Sequence, residues 1–237
     1  MARTRTVDEL LTEIFEHKQH SLVPRLTEWL TASKRFRLFA ETYHTKIRAK
    51  MRNLQDPESL GDLAFELETA YWLLQEPRLT VAYEPHDPTQ ARRPDFSVTF
   101  TTKFTFSVEV TRMRPVQAED PERESSKLQT VIASKLAQML PGMINLLVIG
   151  AEEATVRNVD IDAAITRLKQ RAEAKDAYLL NRSGLDDLSK FFRRYDRLSG
   201  ILLRSIQAHK AEQPAILWVN KAAKYPLPAN LQTILKS

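Results

Sequence analysis

The chain has 237 residues, 43% hydrophobic and 27% charged, with a formal net charge of +5, which suits a globular protein with a sizeable core and is compatible with a polyanionic partner. It contains no cysteine, which excludes disulfide bonds and thiolate metal sites. No apolar run approaches the roughly 20 residues of a membrane helix, and the start lacks a signal-peptide segment, so we expect a cytoplasmic protein without membrane contact.

The first 57 residues are predicted to form a helical region, set apart from a larger domain that spans residues 58–237. Thr6 followed by Glu9 matches a capping box, in which each side chain bonds the backbone of the other residue at the start of a helix. Ser33 is the expected start of a third, longer helix with apolar residues at helical spacing.

The third helix carries an unbalanced positive charge, with Glu41 as its one acid. Its basic residues are Lys34, Arg35, Arg37, Lys46, Arg48, Lys50 and Arg52. One interpretation is a surface that contacts phosphates, with Lys34, Arg35 and Arg37 as the DNA-binding candidates. The other interpretation is a solvated outer face above an apolar inner stripe.

A strongly amphipathic helix is predicted at residues 60–76. Its apolar stripe is flanked by Glu66 and Glu68, each about 100° from the centre of the stripe. Helical geometry does not choose between these acids, and either is also explained as an ordinary exposed side chain. Residues 79–84 alternate between apolar and polar, which predicts a strand that leads into a hairpin.

Residues 92–112 predict a hairpin of two strands. At residues 95–100 and 104–111, the even positions are apolar and the odd positions are polar. Because successive side chains point to opposite faces of a strand, each strand has one apolar face and one polar face. Paired residues must then share parity. A short loop at residues 101–103 therefore sets Asp95 opposite, or nearly opposite, Glu109.

Two opposed acids in a hairpin need a positive partner. Directly opposed Cβ atoms lie roughly 4.5–5.5 Å apart, and carboxylates this close repel each other. Hard cations such as Mg²⁺ prefer carboxylate oxygens, so Mg²⁺ or Mn²⁺ at Asp95 and Glu109 is the expected cofactor. Arg92, Arg93 and Arg112, at the two ends of the hairpin sequence, are further candidates for DNA contact.

The elements after the hairpin complete a recognisable order. Asp120 is the expected cap of a helix that runs to Leu140. The apolar run at residues 144–149 then predicts a strand that is covered on both faces. The order from residue 60 onward is therefore helix, three strands, helix, strand.

Within this order, Pro94-Asp95 and Glu109-Val110-Thr111 resemble the PD-(D/E)xK nuclease superfamily. The resemblance implies an α/β protein with a restriction-endonuclease-like αβββαβ core, whose central mixed sheet is flanked by helices. It implies a metal-dependent DNA endonuclease in which Asp95, Glu109 and the Val110 carbonyl bind Mg²⁺ or Mn²⁺. The family's lysine, two residues after the glutamate, is Thr111 here, and this departure bears on catalysis more than on fold or metal binding.

Lys135 is the candidate to replace the missing lysine. It falls inside the apolar stripe of the second core helix, where its ammonium must be paired or escape to water. Some members of the superfamily place the basic residue away from the strand, and Lys135 with Gln138 resembles that arrangement. By the same resemblance, Glu66 supports the metal directly or through water. The alternative is that the stem of Lys135 packs while its ammonium reaches solvent.

The sequence after residue 150 is less informative. Helices are predicted at residues 159–175 and 185–195, and strands that extend the sheet at 198–203 and 214–219. A second concentration of basic residues consists of Lys190, Arg193, Arg194, Arg197 and Arg204. It lines a nucleic-acid groove or forms a solvated face, and the sequence leaves both interpretations open.

Three functions are compatible with these features. The first is a metal-dependent deoxyribonuclease with Asp95, Glu109, Lys135 and Glu66 in its site. The second is a nuclease-fold module that binds DNA without cutting, because Thr111 lacks the positive charge of lysine. The third is a protein-partner domain in which the acids are incidental. DNA is the expected partner, whereas RNA binding, sequence specificity and the pairing of two subunits as a homodimer stay open.

Overall fold

Helices and strands form an α/β arrangement that includes a mixed sheet, as the sequence predicts. The computed structural model describes residues 5–17, 19–85, 93–114, 121–184, 187–206 and 215–236. The chain separates into two units, Met1–Tyr83 and Glu84–Ser237. Every helix in the described ranges is too short or too polar to span a lipid bilayer.

The first unit is mainly helical. Its described elements are α1 (Val7–Phe15), α2 (Val23–Ala32), α3 (Lys34–Arg52), α4 (Pro57–Leu73) and β1 (Leu79–Tyr83). The predicted capping box at Thr6 and Glu9 is formed at the start of α1. Ser33 caps α3 by accepting a hydrogen bond from the backbone N–H of Phe36. These local signals were therefore sufficient to predict where the two helices begin.

The boundary between the units follows β1, whereas the sequence predicted a boundary after residue 57. The difference arises because α4 packs within the first unit through long-range pairs. Glu68 of α4 accepts a hydrogen bond from Arg25 of α2 at 2.5 Å. Glu66 of α4 forms an ion pair with Lys50 of α3 at 2.6 Å. Such pairs join residues far apart in sequence, so local patterns do not reveal them.

Arg35 closes the connection between α4 and β1. Its Nη1 donates to the carbonyls of Leu74 and Glu76, both at 2.6 Å, and its Nη2 donates to the carbonyl of Leu79. Carbonyls after a helix have no intrahelical donor, and hydrogen bonds from a charged donor are stronger than neutral ones. The guanidinium of Arg35 therefore holds this connection in place.

We expect Arg35→Gln to lower the free energy of unfolding by about 2 kcal/mol, because three charge-assisted hydrogen bonds are lost from a half-buried site. Urea unfolding followed by circular dichroism measures the change. Arg37→Gln is the matched control, since it removes the same charge two residues later on α3. An equal loss of stability in both variants would contradict the assigned role of Arg35.

The second unit contains a run of five hydrogen-bonded strands in the order β2-β3-β4-β5-β6. Its described strands are β2 (Phe96–Phe100), β3 (Phe104–Arg112), β4 (Ile144–Ala151), β5 (Leu198–Ser205) and β6 (Ala215–Val219). Its described helices are α5 (Pro121–Leu136), α6 (Glu153–Asn158), α7 (Ile161–Glu173), α8 (Ala177–Ser183), α9 (Leu188–Tyr195) and α10 (Ala229–Leu235). The strands β3, β4 and β5 are parallel, whereas β2 and β6 are antiparallel to their neighbours.

The polar face predicted for the second hairpin strand is buried in the structure. Glu109 is 4% exposed and Ser107 is 1% exposed. The reason is that β3 is an interior strand of the sheet and that a helix covers the face that carries these side chains. Helix α5 covers the face that carries Glu109, since Leu147, the β4 partner of Glu109, belongs to one apolar cluster with Ile132 of α5.

Asn145 organises the start of β4. Its Oδ1 accepts from the backbone N–H of Leu140 at 2.8 Å and from the hydroxyl of Ser107 at 2.6 Å. Its Nδ2 donates to the carbonyls of Leu140, Met143 and Arg197. Asn145 is 1% exposed, so these hydrogen bonds replace the water that its amide and the neighbouring backbone groups would otherwise bind.

Candidate metal site and nucleic-acid contacts

The strand register sets Asp95 across from Glu109. The pairs of β2 and β3 run from Phe100 with Phe104 to Phe96 with Val108. One further step along this antiparallel register brings Asp95 to Glu109. Residues opposed in this way have Cβ atoms roughly 4.5–5.5 Å apart. The opposition that the alternating sequence predicted therefore follows from the register in the structure.

The carboxylate of Asp95 bonds the backbone of the neighbouring strand. Its Oδ2 accepts a hydrogen bond from the N–H of Val110 at 2.7 Å. Asp95 lies just before β2 begins, so its side chain supplies an acceptor where the regular strand has not yet started. The contact fixes the carboxylate beside β3, next to the residue whose carbonyl is the third candidate metal ligand.

Lys135 contacts the second acid of the pair. Its Nζ lies 3.4 Å from Oε2 of Glu109, and the Lys135 side chain is 20% exposed. A buried carboxylate is costly unless it is paired and hydrogen-bonded. Lys135 therefore reaches from α5 to the carboxylate of Glu109.

Two polar residues border this group. Thr111 is half-buried. It lies on β3 two positions after Glu109, so its side chain projects to the same face of the sheet as the side chain of Glu109. The backbone N–H of Gln138 donates to the carbonyl of Lys135 at 2.9 Å. The Oε1 of Gln138 is buried and has no hydrogen-bond partner among the described residues. Gln138 thus follows Lys135 closely, but its Oε1 does not bond to Lys135 or to the other described residues of this group.

The first unit contains the third predicted acid. Glu66 forms its ion pair with Lys50, and the alternative acid, Glu68, is 3% exposed and paired with Arg25. Both glutamates therefore have basic partners within the first unit. The residues that the structure brings together in the second unit are Asp95, Glu109, Val110 and Lys135.

No protein-family model, curated protein or solved structure matches the chain. The interpretation of the candidate site therefore depends on its geometry. Within the described ranges, no group of three or more His, Cys, Asp or Glu side chains is placed to hold a metal ion. The candidate donors are instead two carboxylates and the Val110 carbonyl. An all-oxygen set of this kind suits Mg²⁺, which commonly keeps several waters and takes one or two carboxylates from the protein.

The basic residues of α3 are used largely within the first unit. Arg35 donates to three backbone carbonyls, Lys46 donates to the carbonyl of Tyr83 at 3.0 Å, and Lys50 pairs with Glu66. These contacts favour the structural interpretation for much of the helix. Of the three DNA-binding candidates on α3, Lys34 is exposed, Arg37 is half-buried and Arg35 is committed to the α4–β1 connection.

The hairpin candidates differ in position. Arg93 is exposed just before β2, and Arg112 is half-buried at the end of β3, while Arg92 lies outside the described residues. Arg112 pairs with Gly150 of β4, which in turn pairs with Arg204 of β5. Residues in register share a face of the sheet, so two arginines flank a glycine at the carboxyl ends of the parallel strands.

The sequence interpretation grouped Arg204 with the basic residues near α9 and missed this row of three residues. The signal was not accessible from the chain alone. Parallel register depends on how the crossover helices pack, and no local pattern in the sequence fixes it. The apolar run of β4 predicted a central strand but did not indicate which residues of β3 and β5 would lie beside Gly150.

Proposed function

We propose that the chain is a divalent-metal-dependent DNA endonuclease of the PD-(D/E)xK type. The observations that support the proposal are the strand register, which opposes Asp95 and Glu109 when continued one step beyond Phe96 and Val108, and the ammonium of Lys135 at 3.4 Å from Glu109. The order α4, β1, β2, β3, α5, β4 supports the restriction-endonuclease-like core. The parallel pairing of β3 with β4 across α5 supports it further.

Each residue of the group has a distinct role in this proposal. Asp95, Glu109 and the Val110 carbonyl would hold Mg²⁺ or Mn²⁺. When bound, the metal supplies a Lewis acid that neutralises charge on the scissile phosphate and lowers the pKa of a coordinated water. Asp95 is held in position by the Val110 N–H, so ordering it for the reaction costs little.

Lys135 supplies the positive charge that Thr111 lacks. Its ammonium lies 3.4 Å from Oε2 of Glu109 and so places a positive charge beside the acid pair. The same group can donate a second hydrogen bond to an attacking water, since an ammonium has three donors. Arg93 and Arg112 lie near the ends of the hairpin strands, where they would contact DNA phosphates.

The metal-binding part of the proposal is tested by calorimetric titration with Mg²⁺ and Mn²⁺. We expect Asp95→Asn to weaken binding at least about tenfold, because a charged ligand becomes neutral. Asparagine retains an oxygen that can accept the Val110 N–H, so the strand contact is preserved and the effect of charge is isolated. Asp8→Asn, which neutralises an exposed acid of α1, is the control and should leave the titration unchanged.

Metal binding must be accompanied by metal-dependent cutting. Linear and supercoiled DNA incubated with the protein should be cleaved in Mg²⁺ or Mn²⁺ and remain intact in chelator. Equal metal affinity for Asp95→Asn and the unchanged chain would remove the acid pair from the proposal. Metal binding at this pair without any cleavage would contradict the endonuclease proposal and favour a domain that does not cut DNA.

The second candidate is a DNA-binding domain that does not cut. It is favoured by Thr111 in the family's lysine position and by the engagement of Lys135 with Glu109, which already neutralises the buried acid. This candidate predicts a DNA mobility shift that weakens with added salt and does not require a divalent metal. A shift in chelator together with intact DNA in Mg²⁺ would establish it.

A further inference from the structure

A second concave site lies at the amino-terminal ends of β4 and β5, whereas Glu109 lies in the carboxyl-terminal half of β3. The cavity has a volume of about 610 Å³. Its walls come from the Pro141–Gly142 turn, from the end of α9 and from the segment after β6. The side chains that matter to its chemistry are Phe192, Arg193, Asp196, Arg197, Lys224 and Tyr225.

The cavity concentrates positive charge without matching acids. Among the described residues, no ion pair joins Arg193, Arg197 or Lys224 to a carboxylate. Asp196 also lines the cavity but pairs with none of these three cations. Burial and the neighbouring charge of Arg193 lower the pKa of Arg197. The two guanidinium groups therefore repel each other, and an anion between them would relieve that repulsion.

The position of Arg193 has a simple structural explanation. It lies in the last turn of α9, where cations interact favourably with the helix dipole. That explanation does not extend to Lys224, which follows β6. Arg197, which precedes β5, makes a structural contact of its own, since its Nη1 donates to the carbonyl of Met139 at 3.3 Å. Two segments, the end of α9 with the turn that follows it and the segment after β6, thus direct basic residues to one cavity, and this convergence is characteristic of a binding site rather than of a helix end.

The walls of the cavity are held by hydrogen bonds to backbone carbonyls. The hydroxyl of Ser199 donates to the carbonyl of Tyr225 at 2.6 Å, and the N–H of Lys224 donates to the carbonyl of Asp196 at 2.8 Å. Asn145 donates to the carbonyl of Arg197 at 3.0 Å. The cavity is therefore formed before any ligand arrives, which lowers the entropy cost of binding.

We propose that this cavity binds a nucleoside phosphate. Arg193, Arg197 and Lys224 would contact the phosphate oxygens, because arginine and lysine are the usual donors to phosphate. Phe192 and Tyr225 would contact the base, and the volume lies within the usual range for small-molecule sites. The inference is independent of the acid pair and of the proposed nuclease activity. The nucleotide could be free or be the terminal nucleotide of a strand, since the two share this chemistry.

The probe is ADP, titrated into the full chain by calorimetry in the presence of chelator. We expect Arg193→Gln to weaken ADP binding by about tenfold, which is the effect of losing one charge-assisted contact with phosphate. Arg193 is exposed, so this variant should fold. Lys190→Gln removes the same charge from α9, but Lys190 lies outside the cavity and near Asp187, and it should change the affinity less than about twofold.

Asp196→Asn gives a prediction of opposite sign. Removing the acid from the cavity should tighten ADP binding by about threefold, since it abolishes repulsion of the phosphates. Adenosine and pyrophosphate are each expected to bind at least about tenfold more weakly than ADP, because each keeps half of the contacts. Equal affinity for pyrophosphate and ADP would overturn the assignment of a base-binding wall.

A comparison of oligonucleotides distinguishes the two sources of the ligand. Single strands with a 5′-phosphate, titrated beside the same strands with a 5′-hydroxyl, bind more tightly than ADP if the cavity takes a strand terminus. They bind no more tightly than ADP if it takes a free nucleotide. Absence of ADP and oligonucleotide binding up to about 1 mM, or affinities that Arg193→Gln leaves unchanged, would overturn the proposal. The ADP and oligonucleotide titrations can both be carried out with the Asp95→Asn variant, so failure of the nuclease proposal does not affect them.

Discussion

Lys135→Ala is expected to lower the rate of metal-dependent DNA cleavage by about 10²–10³-fold, which is the usual effect of removing one positioned donor from a reacting centre. The variant leaves Glu109 buried at 4% exposure without the ammonium that lies 3.4 Å from its Oε2. It also removes the donor proposed to hold the attacking water. Single-turnover cleavage at saturating Mg²⁺ measures the chemical step directly.

Thr111→Lys provides the rescue for this loss. Position 111 lies on the same face of β3 as Glu109, so a lysine placed there projects toward the acids from the strand. We expect the Lys135→Ala/Thr111→Lys double variant to cleave DNA at least about tenfold faster than Lys135→Ala, because a positive charge is restored near Glu109. Recovery would show that the position of the charge matters more than the element that carries it.

The matched control is Lys127→Ala, which removes the same side chain from α5 eight residues earlier. Lys127 donates to the carbonyl of Arg114, so the cleavage rate should change less than about threefold. Similar losses for Lys127→Ala and Lys135→Ala would point to general electrostatic attraction of DNA. A Lys135→Ala variant with full activity would remove Lys135 from the mechanism.

Asn145→Ala is expected to lower the free energy of unfolding by about 3–5 kcal/mol, because it leaves several buried polar groups without partners. The Leu140 N–H and the Ser107 hydroxyl lose their acceptor, and the carbonyls of Leu140, Met143 and Arg197 lose a donor. These groups are largely buried, so water does not readily replace the lost hydrogen bonds.

Urea unfolding monitored by circular dichroism and by tryptophan fluorescence measures the loss of stability caused by Asn145→Ala. Asn158→Ala is the control, since Asn158 is exposed at the end of α6. A change below about 1 kcal/mol for Asn145→Ala would mean that the network contributes no more than an average hydrogen bond. The same variant should weaken ADP binding, because Asn145 bonds the carbonyl of Arg197.

The acid pair was predictable because it depends on local rules. Strand alternation has a period of two, and a turn of known length joins the strands, so parity alone relates Asp95 to Glu109. Lys135 was predictable for a related reason. A lysine within an apolar stripe must find a partner or reach solvent, and Glu109 was already placed on the strand that precedes α5.

Features set by contacts between distant residues were not predictable. The unit boundary after Tyr83 depends on pairs such as Glu68 with Arg25 and on the stacking of Trp29 with Tyr71. The burial of Glu109 depends on the placement of β3 inside the sheet. The cavity near Arg197 depends on three loops that meet only after the strands are aligned. No pattern within a short window of sequence carries that information.

The hydrogen bond from the Val110 N–H to Asp95 has an evolutionary consequence. A carboxylate that completes the hairpin is maintained by selection for folding, whether or not the chain still carries out a reaction. An aspartate at this position therefore does not by itself indicate metal-dependent chemistry. A basic side chain within reach of Glu109, as Lys135 is here, would be the more informative sign of the proposed activity.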